Sequence, residues 1–151
     1  MNRPSSERPS VLIVGAGVAG LALGRALRAR SIAAEIVERT TAWTPAGTGI
    51  YLPANGVRAL QSLGLGDAVT PASVRMTHQR ILDNRGRILA EIDLDAVWGA
   101  VGPCVGIRRP DLHALLLDGA SGVPLRLGTT VKALTESQTF ERAAAGAEPG
   151  P

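Results

Sequence analysis

The stretch VLIVGAGVAGLALGRALRARSIAAEIVER, residues 11 to 39, constrains the fold of this chain more than any other part of it. Val11 to Val14 is a continuous, mostly β-branched run, the pattern of a strand buried on both faces of a parallel sheet. Gly15-Ala16-Gly17-Val18-Ala19-Gly20 follows at once. From Val18 to Arg30 the residues Leu21, Ala22, Ala26 and Ala29 recur at helical spacing, with Arg25, Arg28 and Arg30 expected largely on the outer side. Ala34 to Val37 reads as a second strand. Strand, helix and strand at this spacing make a β-α-β unit, which packs parallel and right-handed.

The string G-x-G-x-x-G is weak evidence by itself, because glycine pairs are common. Its setting strengthens it: a strand precedes, a helix follows, and Glu38 stands at the end of the next strand, close to the ~20 residues on where a ribose-binding acid belongs. In that arrangement Gly15 allows the sharp turn out of the strand. Gly17 lets a diphosphate approach the backbone, and Gly20 lets the helix pack closely on the sheet. The unpaired N–H groups of Val18 and Ala19 and the positive end of the helix face the diphosphate. Glu38 accepts hydrogen bonds from an adenosine ribose, and its charge disfavours a 2′-phosphate. Arg39 beside it complicates that inference, yet an acid and an arginine together fit an unphosphorylated ribose better. These residues point to an adenine dinucleotide and leave NAD and FAD both open.

Composition bounds the alternatives. A chain of 151 residues is one ordinary domain, able to bury about 70% of its unfolded surface. Aromatic residues at 3% are too scarce for base-stacking nucleic-acid surfaces. The net charge of +3 comes from arginines spread along the chain with Lys132 as the single lysine, which reads as a solvated surface rather than a polyanion track. Cys104 is alone, so neither an intrachain disulfide nor a cysteine-rich metal site is expected, and a cytoplasmic setting fits. The apolar run at Val11 is too short and too glycine-interrupted to span a bilayer. No nucleic-acid or membrane partner is expected.

Downstream, Val57, Leu60, Gln61 and Leu63 lie on a short helix begun near Asn55 as N-cap and stopped by Gly64, with a further helical turn at residues 66–69. Residues 79–83 and 87–92 read as two strands joined at Asn84-Arg85-Gly86, an antiparallel hairpin. Residues 95–106 read as irregular and glycine-rich. Residues 109–118 form a helix, with Pro110 in its first turn, Asp111 at the positive end of its dipole, and Leu112, Leu115 and Leu116 as its apolar stripe. Residues 123–127 and 130–134 read as short strands. Residues 1–10 are expected to be a disordered lead-in and residues 136–151 a disordered tail, leaving a domain over 11–135.

The segment after the second strand separates the two dinucleotides. Gly47 to Leu65, GTGIYLPANGVRALQSLGL, resembles the segment of FAD-dependent monooxygenases of the para-hydroxybenzoate hydroxylase type in which a glycine-containing turn leads to a helix beside the flavin. GIRRPDLHAL at residues 106–115 is similar to that family's R-x-x-L-x-x-x-L helix, and LGTTV at 127–131 to the strand whose valine lies against the adenine. The resemblance implies an α/β, Rossmann-like FAD-binding fold of the GR2 type, with inserted antiparallel strands and incomplete at its C-terminus. It implies Gly15, Gly17, Val18, Ala19 and Gly20 at the diphosphate, Glu38 on the ribose with Arg39 near it, Gly49 at the flavin-side turn, Arg109 on the phosphates and Val131 at the adenine. Arg108 is the competing assignment for Arg109.

The resemblance further implies FAD as cofactor, NADH or NADPH and molecular oxygen as co-substrates, and a small, usually aromatic, substrate. It leaves the pattern after about Leu134, where an Asp-Gly motif, a Gly-Asp motif and a substrate-covering sheet are expected. The reading is therefore an N-terminal fragment with weak or absent hydroxylase activity, and no catalytic residue is assigned. A non-catalytic dinucleotide-binding remnant and an NAD-linked dehydrogenase remain as alternatives. His113 reads as a helix-surface residue and His78 as equally bland; no metal site can be built from them and Cys104, which is expected to be inert in its loop. Trp43 and Tyr51 flank the flavin-side loop, with packing their expected use. Asp93, Asp95 and Trp98 are assigned no role.

Overall fold

The computed structural model describes residues 10–43 and 47–133. The expected lead-in, apart from Ser10, the expected tail, and Leu134 lie outside the described residues. Strand β1 (Val11–Val14), helix α1 (Val18–Arg28) and strand β2 (Ala34–Val37) form the expected β-α-β unit. β1 runs parallel to β2, with Val11 opposite Ala34 and Val14 opposite Val37. A short strand β8 (Leu125–Arg126) pairs parallel on the other edge of β2, so β2 is central. Glycine sets the distance between α1 and this sheet. A Cβ at Gly24 would stand 2.9 Å from Ile36 Cδ1, so the helix rests its bare backbone on the strand side chains.

The second sheet is antiparallel, β3 (Gly49–Leu52), β7 (Cys104–Arg108) and β4 (Ser73–Met76), with β7 in the middle. Strand β7 and helix α4 (Leu94–Trp98) replace the irregular segment expected at residues 95–106. Glycine and proline at Gly102, Pro103 and Gly106 hide a strand that is paired on both edges and buries Cys104, Val105 and Ile107. Asp93 caps α4, its Oδ1 accepting from the N–H groups of Asp95 and Ala96. Strands β5 (His78–Leu82) and β6 (Ile88–Asp93) form the expected hairpin.

Helix α2 (Ala54–Ser62) begins one residue before the expected cap. Pro53 occupies the N-cap, and Asn55, inside the first turn, accepts from the Gly56 N–H instead. Gly64 ends the connection at φ +70°, before the short helix α3 (Gly66–Val69). Helix α5 (Arg109–Gly119) matches its expected span to within a residue, whereas residues 130–133 take no regular structure.

The main core lies where α1 and α5 meet the parallel sheet, with Leu21, Ile36, Leu112 and Leu116 wholly buried. Two expectations fail here. Arg25 is half-buried, not outward. Its Nε donates to the Leu63 carbonyl at the end of α2 and its Nη1 to the Gly119 carbonyl at the end of α5, 2.6 Å away. One guanidinium thus answers the unpaired carbonyls and the negative dipole end of two helices. The second concerns β1, which is buried on one face only: Leu12 is 47% and Val14 63% exposed. Its alternate residue Ile13 points into the core while the opposite face of the strand is bare.

Candidate functional site

The glycine loop is fixed by hydrogen bonds that run from the sheet to α5. Gly15 leaves β1 at φ +100°, a region costly to any residue with a Cβ, and its N–H donates to the Val37 carbonyl at 2.8 Å. Ala16, wholly buried, has both polar atoms engaged by side chains. Its N–H donates to Glu38 Oε2 at 2.9 Å, and its carbonyl oxygen lies 2.9 Å from His113 Nε2. A Cβ at Gly20 would stand 1.9 Å from the Gly15 oxygen, so the third glycine is required by the loop itself. A Cβ at Gly17 would meet nothing within 4 Å, so protein packing does not account for that glycine.

Helix α1 starts at this loop with Gly17 as its N-cap, with no side chain capping it and no acid in its first turn. No acceptor among the described residues takes the N–H of Gly17, Val18 or Ala19. Orphan donors at the positive end of an 11-residue helix, beside a glycine with open space at its Cβ position, fit an anionic group such as a diphosphate.

Glu38 closes the loop from the side of β2. Oε1 accepts from the Thr40 N–H and Oε2 from that of Ala16, each at 2.9 Å. The Thr40 bond first and the Ala16 bond second hold its carboxyl below the usual carboxylate range, against a small opposing effect of burial, and Arg39 adds in the same direction. It is ionised at neutral pH. Each oxygen has accepted one N–H and keeps capacity for another donor, as a ribose diol offers. The chain returns past Glu38 after β8: the Glu38 N–H donates to the Arg126 carbonyl and its own carbonyl accepts from the Thr129 N–H. This pairing brings Val131 to the same place. Gly15, Glu38, Arg39 and Val131 line one cleft of about 260 Å³ at the C-terminal end of the parallel sheet.

Arg109 and Gly49 lie on the second sheet's side. Arg109 opens α5, its N–H donating to the Thr48 carbonyl at 3.1 Å. Arg108 is committed elsewhere, making two hydrogen bonds to the Asp111 carboxylate at 2.7 and 2.9 Å that raise its own pKa. The competing assignment is thereby weakened. Gly49 is not in the turn: it is the first residue of β3, opposite Arg108, and a Cβ there would make only ordinary contact. The turn glycine is Gly47, at φ +110°, which lies against the Arg109 side chain. Gly49 borders instead a groove of about 370 Å³ on the sheet face, with Tyr51, Met76 and Gly106.

His113, taken from the sequence as a surface residue, is a half-buried contact of the glycine loop. It sits one helical turn beyond Arg109, so the two share a face of α5. Trp43 packs on its ring, with centroids 4.7 Å apart. No periodicity or spacing connects His113 to a loop 97 residues earlier. Tyr51 donates its hydroxyl to Cys104 Sγ at 3.2 Å, so Cys104 is a buried strand residue rather than part of a loop. Among the described residues no group of His, Cys, Asp and Glu is placed to hold a metal, and no helix is long and apolar enough to cross a membrane.

Comparison with known proteins gives the family and the fold. Residues 8–149 match the family model of the FAD binding domain. The chain is 34% identical over 142 residues to the aurachin C monooxygenase/isomerase of Stigmatella aurantiaca, covering 92% of this chain and 37% of that protein. To the 3-amino-4-hydroxybenzoate 2-monooxygenase of Streptomyces cremeus it is 35% identical, covering 78% and 31%. Among solved structures, 2-methyl-3-hydroxypyridine-5-carboxylic acid oxygenase aligns with TM-score 0.67 at 25% identity, over 78% of this chain and 31% of that one. PqsL of Pseudomonas aeruginosa, in complex with 2-aminobenzoylacetate, shares the fold with TM-score 0.73 at 22% identity, over 85% and 35%. The chain spans about a third of the length of these relatives. It belongs to the FAD binding domain family of flavoprotein monooxygenases, with FAD as its cofactor.

Proposed function

We propose that this chain is the FAD-binding portion of an NAD(P)H-dependent monooxygenase that hydroxylates a small aromatic substrate. The observation that carries the reading is the convergence of Gly15, Glu38, Arg39 and Val131 on one cleft beside the orphan N–H groups of α1. FAD, when bound, would supply the redox chemistry between NADH or NADPH and molecular oxygen. The residues of this chain bind and orient it. Gly17, Val18 and Ala19 receive the diphosphate on their N–H groups, while Gly15 and Gly20 give the loop its shape. Glu38 takes the adenosine ribose with Arg39 beside it, and Val131 lies along the adenine. Arg109 reaches the phosphates, and Gly49 stands on the flavin side, at the groove it shares with Tyr51.

An aromatic substrate is supported by the relatives' names, which include a 3-amino-4-hydroxybenzoate 2-monooxygenase and a 2-heptyl-3-hydroxy-4(1H)-quinolone synthase. A cytoplasmic setting is part of the same reading, supported by a lone buried cysteine. Because the chain spans about a third of its relatives, hydroxylation by this chain alone is expected to be weak or absent. Purification in excess FAD tests the binding step: near-stoichiometric flavin absorbance on the protein is expected. Nicotinamide binding without flavin would replace this reading with an NAD-linked dehydrogenase, and binding of neither with a non-catalytic remnant. NADPH-dependent product formation by the isolated chain would overturn the expected inactivity.

A further inference from the structure

We propose that His113 is a positioning residue of the diphosphate site, acting through the Ala16 carbonyl to aim the Gly17 N–H at the bound phosphates. The inference rests on the FAD-binding reading and extends it to a residue outside the glycine motif.

The Ala16 carbonyl oxygen can only accept, so the ring nitrogen 2.9 Å from it must be the donor, and Nε2 carries a proton. Trp43 packs on the ring and restricts its rotation. In a planar trans peptide the carbonyl and the following N–H point in opposite directions. Drawing the Ala16 oxygen toward α5 therefore turns the Gly17 N–H away from α5, and no acceptor among the described residues takes it. The preceding peptide is set by the same logic. Glu38 draws the Ala16 N–H, so the Gly15 carbonyl points the other way, at Gly20. Two consecutive peptide planes of the loop are thus oriented by two side chains from distant parts of the chain. Without His113 the second plane can rotate, and its N–H is no longer held toward the ligand.

The test compares wild type, His113→Phe and His113→Gln. Phe keeps the ring against Trp43 and removes the donor, whereas Gln places an amide N–H at about the reach of Nε2. Affinity for FAD, followed by quenching of flavin fluorescence, is expected to fall about tenfold in His113→Phe and to return to within about threefold of wild type in His113→Gln. Affinity for ADP, which carries the diphosphate without the flavin, is expected to fall with it. In 15N-labelled protein, the Gly17 amide resonance is expected to move on adding FAD to wild type and His113→Gln and to stay in place in His113→Phe. Wild-type FAD affinity in His113→Phe would overturn the proposal, as would an equal loss in both variants. Should His113→Phe not fold, the 15N spectrum of the wild-type imidazole in alkaline buffer decides. A neutral ring protonated on Nε2 supports the proposal, and one protonated on Nδ1 overturns it. Failure of wild type to bind FAD would remove the functional reading itself, an outcome distinct from wild type and variant binding alike.

Discussion

Glu38 serves the protein before it serves any ligand, because its two oxygens tie the N–H groups of Ala16 and Thr40 into one turn. That ties loop order to pH. The carboxyl is held low in the folded protein, so the unfolded chain binds the proton more readily. The stabilisation is present above the ordinary carboxylate pKa of about 4.3 and is lost as pH falls through the lowered folded value. Urea titrations across that acid range are expected to show wild type losing stability with falling pH and Glu38→Gln lacking that part of the slope. At neutral pH Glu38→Gln is expected to cost about 1–2 kcal/mol, since an amide accepts at one end only. Gly20→Ala tests the same loop sterically. Its methyl would enter the space of the Gly15 oxygen, and a loss of about 1–3 kcal/mol together with loss of bound FAD is expected from melting curves and flavin absorbance. The turn at Gly15 and the close packing at Gly20 were legible because they follow from the local chain, whereas the bonds of Glu38 to Ala16 and Thr40 were not. His113 and Gly47 were not: one acts across the fold, and the other differs from Gly49 only in a backbone angle that appears once β3 is paired.

Among the elements, α1, β2 and α5 announce themselves through unbroken periodicity, and each lies within two residues of its expected ends. The strands β3, β4 and β7 carry no such signal. They are four or five residues long, β3 and β7 contain glycine and adjoin proline, and all three owe their existence to pairing with one another. Arg25 belongs at this scale too, because its guanidinium joins the ends of α2 and α5 to the side of α1. Arg25→Met keeps most of the stem and removes the donors, leaving helix-end carbonyls unanswered. A destabilisation of about 2–3 kcal/mol is expected in denaturant titration. The hairpin β5–β6 is the contrasting case. Asp83 accepts from the N–H groups of Arg85 and Arg87 and from the Arg87 side chain, all at the exposed turn. Asp83→Ala is expected to fray the hairpin, seen as faster amide exchange of Leu82 and Ile88, with global melting unchanged.

Over the described residues, the edge strand β1 of the parallel sheet keeps one face exposed, whereas Val37 beside it on β2 is buried. Leu12 and Val14 stand exposed on β1, which among the described residues pairs only with β2. An apolar strand with a free edge is prone to pair with another copy. Light scattering is expected to show self-association rising with concentration in wild type and falling in the double variant Leu12→Thr, Val14→Thr, with the melting temperature little changed. The contact between His113 and Ala16 has a further consequence, in the order of events during synthesis. The glycine loop leaves the ribosome first, but the group that fixes its carbonyl follows 97 residues later, about 5–20 s at ordinary rates of elongation. Nascent chains stalled before α5 emerges are expected to capture little FAD, and chains stalled beyond it to capture it readily. The glycine loop is thus completed only when a helix that opens at Arg109 has followed it.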